Sequence, residues 1–387
     1  MNQPIAARRQ AIADRHPDWL EMTLDAHLER SLDHFAERPL VITDAQTMDY
    51  AAVNAEAERW AAGLAALGVK RGDRVGLLLA NYPVTVSLLF AIWRAGAIAV
   101  AINTLYGPKE LEYVVREAGC GFLISMARFG SRRFDRELDE QLPGWRTGDY
   151  ADLPELRGGM TYDAEAPEDF FAAFPAGEPA PLERAAPHDP AVIMFTSGTT
   201  GAPNGVMQTH NNLLRAAYAG AYHQAFEDGR RAVFSLPLYH GFGLVVGLLS
   251  GMVVGGAIVP LLRFDADAIL TATERHRATY LMGVPTMTIA LLEQAKVKFY
   301  DLTSLTAIHS AAAPTPSWVW RDIQKTFGCE EIFTSYGQTE VPPRDIWFIA
   351  ESELPKTGTG KVQKNVLKDM ALAHISAQRL SPALRQI

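Results

Sequence analysis

Cysteine is scarce. Only Cys120 and Cys329 occur among 387 residues, far apart and with no C-x-x-C pair. This argues against a disulfide framework and a cysteine zinc site, and fits two buried or free thiols in a reducing cytoplasm. A basic excess is lacking as well. The formal net charge is −8, whereas nucleic-acid binders usually carry a positive balance, so no nucleic-acid partner is expected. No apolar run follows Arg8-Arg9, so no secretory or twin-arginine signal is read there. No G-x-x-x-x-G-K-[ST] loop and no repeat of fixed period occur. What is present is ordinary globular composition, 48% hydrophobic and 21% charged, sufficient for two or three domains with a core.

One long uncharged run stands out, "GFGLVVGLLSGMVVGGAIVPLL" at 241–262. Gly243, Gly247, Gly251 and Gly255 fall every fourth residue, the spacing of packed membrane helices. The run divides at Gly255-Gly256 into a helix-sized and a strand-sized piece, and buried βα units also read as continuous apolar sequence. Its flanks keep an α/β rhythm, which favours the buried βα reading and no transmembrane segment.

That rhythm begins at Tyr50. Apolar positions Tyr50, Val53, Ala57, Trp60, Leu64 and Leu67 recur at three- and four-residue steps. They predict an amphipathic helix with Asp49 as N-cap and Gly68 just past its end. Strands are expected at 74–80 and 97–103, with a helix at 83–95 between them. The helix "PKELEYVVREAG" and strand "GFLIS" follow. Residues 129–188, rich in Pro, Gly, Asp and Glu, read as a variable surface excursion. Strands resume at "AVIMF", "AVFSL", "AIVPL", "TYLMG", "TAIHSA" and "EIFTSYG". The expected fold class is α/β, with doubly wound mixed or parallel sheets and covering helices.

The segment "MFTSGTTGAPNGV", 194–206, leaves the C-terminal end of one such strand, where α/β sheets place ligands. Gly198, Gly201 and Gly205 allow backbone N–H groups to turn inward, and successive inward N–H groups form an anion-binding nest. Thr196, Ser197, Thr199 and Thr200 add hydroxyl donors. The bland reading is a polar β-to-α turn. Adjacent threonines between glycines, directly after a buried strand, favour a phosphate cradle.

"FTSGTTGAPNGV" resembles the phosphate loop of the adenylate-forming superfamily: acyl-CoA synthetases, luciferases and peptide-synthetase adenylation domains. Further segments resemble that family in the same order. "PLYHGFG" (237–243) is similar to its aromatic/His motif. "SAAAP" (310–314) and "SYGQTE" (335–340) are similar to its adenine-binding turn and Y-G-x-T-E motif. "PKTGTGK" (355–361) is similar to its C-terminal lysine loop. The resemblance covers most of the chain. It implies ATP, Mg²⁺ and CoA as participants, with a carboxylic acid, fatty or other, as substrate. It implies that Thr196, Ser197, Gly198, Thr199, Thr200 and Gly201 hold the β- and γ-phosphates, with Asn204 in the same loop. Tyr336 would stack on adenine beside Gly337, and the backbone at Ala312 and Ala313 would line its edge. Thr339 would contact the α-phosphate. Glu340, with Thr196, would hold Mg²⁺, a hard cation suited to oxygen ligands. Lys361 would reach over the α-phosphate during attack by the acid. His240 either gates the acyl tunnel or is a satisfied buried histidine.

Two departures from the family pattern are visible. Asn204 stands where the family usually has lysine; an amide does not offset phosphate charge. Only residues 341–354 separate Glu340 from Pro355, where the family has a ribose-binding aspartate, a small β-barrel, a hinge and most of a C-terminal domain. The one T-G-D, Thr147-Gly148-Asp149, falls too early. The chain thus reads as residues 1–340, a truncated AMP-binding large domain, followed by 341–387, a remnant of the lysine-loop domain. The barrel and most of the C-terminal domain are missing, and exposed apolar surface makes a homo-oligomer an expectation. The leading reading is an acid–CoA ligase (AMP-forming), impaired in this form. The alternatives are an adenylation domain loading a carrier protein, a nucleotide-binding pseudoenzyme, and a non-functional truncated product.

Overall fold

A computed structural model describes residues 3–175, 182–196, 203–329, 331–335, 337, 339, 366 and 370. The chain divides into two compact units, Met1–Pro342 and Pro343–Ile387; the elements below belong to the first. Its strands are β1 (Pro39–Ile42), β2 (Thr47–Asp49), β3 (Arg74–Leu78), β4 (Ile98–Ala101), β5 (Phe122–Met126), β6 (Gly159–Tyr162), β7 (Pro190–Thr196), β8 (Asn204–Thr209), β9 (Arg231–Phe234), β10 (Ala257–Pro260), β11 (Tyr280–Gly283), β12 (Ala307–Ser310) and β13 (Glu331–Phe333).

Among the described residues these strands form two sheets. One runs β13-β12-β11-β9-β10-β1-β2 and the other β6-β5-β3-β4-β7-β8. Neighbours are parallel except at one edge of each sheet, where β2 is antiparallel to β1 and β8 to β7. The expected α/β class with mixed and parallel sheets is therefore observed.

The side-chain period of two explains how the seven-stranded sheet is covered. Ala232, Phe234, Tyr280, Met282 and Ala307 join the larger core, which also contains Leu77, Val100 and Ile124 of the six-stranded sheet. The intervening Val233, Leu281 and Ile308 pack with Ile269, Leu291 and Ile323 from helices on the other face.

Local sequence signals set the element ends. The helix Tyr50–Ala66 starts where the Asp49 carboxylate accepts from Ala52 N at 2.7 Å. It is followed by Gly68 at φ 84°, a left-handed position that glycine occupies without a Cβ penalty. The apolar run becomes a π-helix, Phe242–Leu249, continued by Ser250–Met252, a turn and then β10. Among the described residues no helix is long and apolar enough to cross a membrane. One of the spaced glycines lets this helix lie close on β9: a Cβ at Gly247 would come within 2.8 Å of the Phe234 ring, whereas one at Gly251 would meet nothing within 4 Å.

Residues 129–188 depart from expectation. They supply β6, which pairs parallel with β5, and they bury Trp145 and Phe170 completely. Pro, Gly and acidic residues do mark the bends here. The buried aromatics lie at no regular spacing, so periodicity does not reveal them.

Candidate functional site

The motifs at 194–206, 237–243 and 310–314, and the start of 335–340, follow the C-terminal ends of strands that have parallel neighbours. The motif at 355–361 lies outside the described residues. In the seven-stranded sheet, β9 lies between β10 and β11, so the chain passes to one side of β9 and then to the other. Such a switch point opens a crevice outside the carboxyl ends of the strands. Residues 237–243 follow β9, 310–314 begin at the end of β12, and 335–339 follow β13. In the six-stranded sheet β3 is the corresponding switch point, and Asn81 lies just beyond it.

The glycine- and hydroxyl-rich segment lies between β7 and β8. It therefore connects two antiparallel strands rather than a strand and a helix, and the helix His210–His223 begins only after β8. Thr196 and Asn204 are register partners at the mouth of this hairpin. Thr196 is half-buried and Asn204 exposed. Ser197, Gly198, Thr199, Thr200 and Gly201 lie outside the described residues. Farther along β8, buried Gln208 donates from Nε2 to the carbonyl oxygen of Thr339 at 2.5 Å. This bond brings the hairpin to the segment that carries Thr339, 131 residues later.

The segment after β9 is joined to the other sheet. The amide of Asn81, itself buried, donates to the carbonyls of Leu236 at 3.0 Å and Leu261 at 3.2 Å. Its oxygen accepts from Leu238 N at 2.9 Å. Tyr239 lies with its hydroxyl 3.2 Å from that of Thr104, beyond β4. His240 keeps an exposed surface, although enclosure of part of its ring lowers its pKa below the ordinary imidazole value. The ring packs on Tyr239 at 4.8 Å. No hydrogen bond to its nitrogens is seen among the described residues.

Beyond β12, Ala312 and Ala313 are exposed, and Ala312 adopts φ 72°. A non-glycine residue there carries strain of about 1–2 kcal/mol. Such strain persists only where the surroundings impose it, often at ligand-contacting turns. Gly337 is exposed and Thr339 half-buried. Tyr336, Glu340 and Lys361 lie outside the described residues. Among the described residues no cluster of three or more His, Cys, Asp or Glu could hold a metal ion.

Upstream of these residues, β13 is anchored by buried charge. Arg8 donates from Nη1 to Glu331 at 3.2 Å and pairs with it again through Nη2. Fully buried Arg230 lies over the Phe226 and Tyr280 rings at 4.4 and 4.7 Å. A cavity of about 70 Å³, lined by Trp19, His27, Tyr218 and Val253 among others, lies near the entry to β10. It is thus toward the opposite strand ends from the motifs.

Sequence reasoning missed three buried polar residues: Asn81 just after an apolar strand, His309 within one, and Gln208 in the mixed strand β8. For Asn81 and His309 the available signal was a polar residue at the end of or inside an apolar run, and for Gln208 there was none. The partners of Gln208 and Asn81, more than a hundred residues away, were not readable.

A family model described as "AMP-binding enzyme" matches residues 28–366. The chain is 30% identical over 340 residues to the medium-chain acyl-CoA ligase ACSF2, mitochondrial, of Danio rerio, covering 83% of this chain and 56% of that one. It is 32% identical over 383 residues to the acyl-CoA ligase SID4 of Ajellomyces capsulatus, covering 95% and 62%. Among solved structures, it is similar to the o-succinylbenzoate CoA synthetase of Bacillus subtilis in complex with an acyl-adenylate intermediate. That match has TM-score 0.68 and 27% identity, and covers 83% of this chain and 60% of the other. The chain thus spans little more than half the length of the curated relatives it matches.

Proposed function

Because the chain belongs to the AMP-binding enzyme family, we propose that it binds MgATP at the β7–β8 hairpin and activates a carboxylic acid, fatty in the leading case. The product is acyl-AMP, from which CoA takes the acyl group. Turnover in this form is low. The observation that carries the reading is the Gln208–Thr339 hydrogen bond. It makes neighbours of the two segments to which phosphate contacts are assigned.

The chemistry requires such convergence. A carboxylate attacking a polyanion meets repulsion, and charge builds on the phosphoryl oxygens in the transition state. A positioned donor or cation there is worth about 10²–10³ in rate. Thr196, Ser197, Thr199, Thr200 and the glycine N–H groups would hold the β- and γ-phosphates, Thr339 the α-phosphate. Tyr336, Ala312 and Ala313 would receive the adenine, and His240 would line the entry for the acid. Glu340 and Thr196 are hard oxygen donors that fit Mg²⁺, and the ion would supply charge neutralisation on the phosphates. By the resemblance Lys361 is the α-phosphate lysine, but without the hinge and most of the domain that would carry it there it contributes little in this form, so its removal changes little.

Low turnover follows from the departures. Asn204 offers no charge, and the short interval 341–354 supports an internal deletion that removes the family's hinge, barrel and ribose carboxylate. Neutral, exposed Asn204 also favours a second reading, a nucleotide-binding pseudoenzyme. The two buried free thiols support a reducing compartment, the cytoplasm.

Carboxylate-dependent ATP–pyrophosphate exchange, followed by transfer to CoA or to a carrier protein, tests the reading. Slow exchange with CoA as acceptor is expected, little altered by Lys361→Ala. Calorimetric MgATP binding without exchange would establish the pseudoenzyme. Absence of both would overturn the assignment.

A further inference from the structure

A histidine outside every motif stands behind the 335–339 segment. His309, on β12, is 1% exposed. By strand alternation it shares the inner face with Ala307, and Phe242 packs edge-on to its ring at 5.0 Å. Its two nitrogens have different partners: Nδ1 lies 2.7 Å from the Tyr280 hydroxyl and Nε2 2.8 Å from the Ser335 hydroxyl.

The proton positions follow from counting donors. The Tyr280 hydroxyl has one proton and donates it to Gln224 Oε1. Its oxygen must then accept from His309 Nδ1–H. Burial lowers the His309 pKa to about 3, so the ring is neutral near pH 7 and Nε2 keeps its lone pair. Ser335 therefore donates to Nε2. The chain Gln224–Tyr280–His309–Ser335 has one direction, from exposed Ser335 inward. Its inner end is held firmly, with Arg230 stacked on Tyr280.

We propose that His309, as the Nδ1-protonated tautomer, is a positioning residue that holds Ser335, the residue from which the chain enters the stretch proposed above to contact the nucleotide. Ser335 is then held by His309, as Thr339 is by Gln208. The proposal rests on the reading above, that this stretch contacts the nucleotide.

Ser335 is exposed, so Ser335→Ala removes the tether without emptying the core. Calorimetry with MgATP should show affinity reduced roughly three- to tenfold, the range of one hydrogen bond's net contribution, with an unchanged melting temperature. His309→Phe should weaken binding similarly. His309→Gln, which offers an amide oxygen near the Nε2 position, should recover most of the loss. In the His309→Phe background, Ser335→Ala should cost nothing further, since both remove one interaction. Unchanged affinity in Ser335→Ala, or losses that add, would overturn the proposal. A ¹⁵N-histidine spectrum without nucleotide should show the Nδ1-protonated ring; an Nε2-protonated ring would also overturn it. A wild-type chain that binds no nucleotide removes the reading beneath the proposal and the positioning role with it. The imidazole spectrum distinguishes that failure from a missing tether.

Discussion

Asn204 occupies the mouth of the hairpin, exposed and opposite Thr196. Because the position is exposed, a lysine there would add a positive charge without burying it. Charge-assisted hydrogen bonds contribute about 1.5–3 kcal/mol, so Asn204→Lys should tighten MgATP binding at least tenfold by calorimetry. No change would mean that the loop does not hold phosphates. Ala312 offers a second test. Its left-handed backbone costs about 1–2 kcal/mol, part of which glycine recovers while loosening the unfolded chain. Ala312→Gly should therefore raise stability by about 0.5–1 kcal/mol in urea unfolding, and a decrease would show that the methyl group packs usefully.

The hairpin is also the place where one element meets another. After β8, His210 opens the next helix, with the Thr209 hydroxyl accepting from Asn212 N at 3.2 Å. The buried His210 ring accepts from Leu24 N at Nδ1, 3.2 Å away, and so joins the start of the helix Leu24–Phe35 to this one. Burial lowers its pKa to about 4. An unfolded histidine titrates near 6.5, so between about pH 6.5 and 4 the unfolded chain binds the extra proton and stability falls as pH drops. Above that window the stabilisation is fully present. The fall between pH 7 and 5 attributable to this residue is about 2 kcal/mol. In His210→Asn, which cannot titrate there, the loss of urea resistance between those pH values should shrink by that amount. An unaltered slope would assign the acid sensitivity elsewhere, to His27 or His309, whose pKa values burial also lowers.

For the molecule as a whole, apolar side chains stand in solvent: Leu105 is 81% exposed, Val297 79% and Phe299 87%. Exposed apolar groups recruit partners or drive association when they form patches, and the −8 charge is screened over about 8–10 Å at ordinary salt. Light scattering during size-exclusion chromatography should show mass increasing with concentration. Val297→Ser with Phe299→Ser should reduce it. A concentration-independent monomer would show that these side chains are tolerated singly.

Sequence alone determined the α/β class, most strand positions, the Asp49 cap and the family motifs. These are local signals: periodicity, capping chemistry and short runs of specific residue types carry them without reference to distant chain. The neutral residue at 204 and the short interval 341–354 were legible for the same reason. Tertiary structure decided what depends on partners far apart in sequence. The hairpin setting of the glycine- and hydroxyl-rich segment needed the pairing of β7 with β8, an antiparallel edge that an alternating βα rhythm does not announce. Burial of Trp145 and Phe170 needed a sheet for the excursion to pack on. Gln208, Asn81 and His309 read as ordinary polar residues in or beside strands until Thr339, Leu236 and Ser335 are brought within hydrogen-bond distance. A buried polar group must find its partner wherever folding brings one, and that meeting is a property of the assembled sheets.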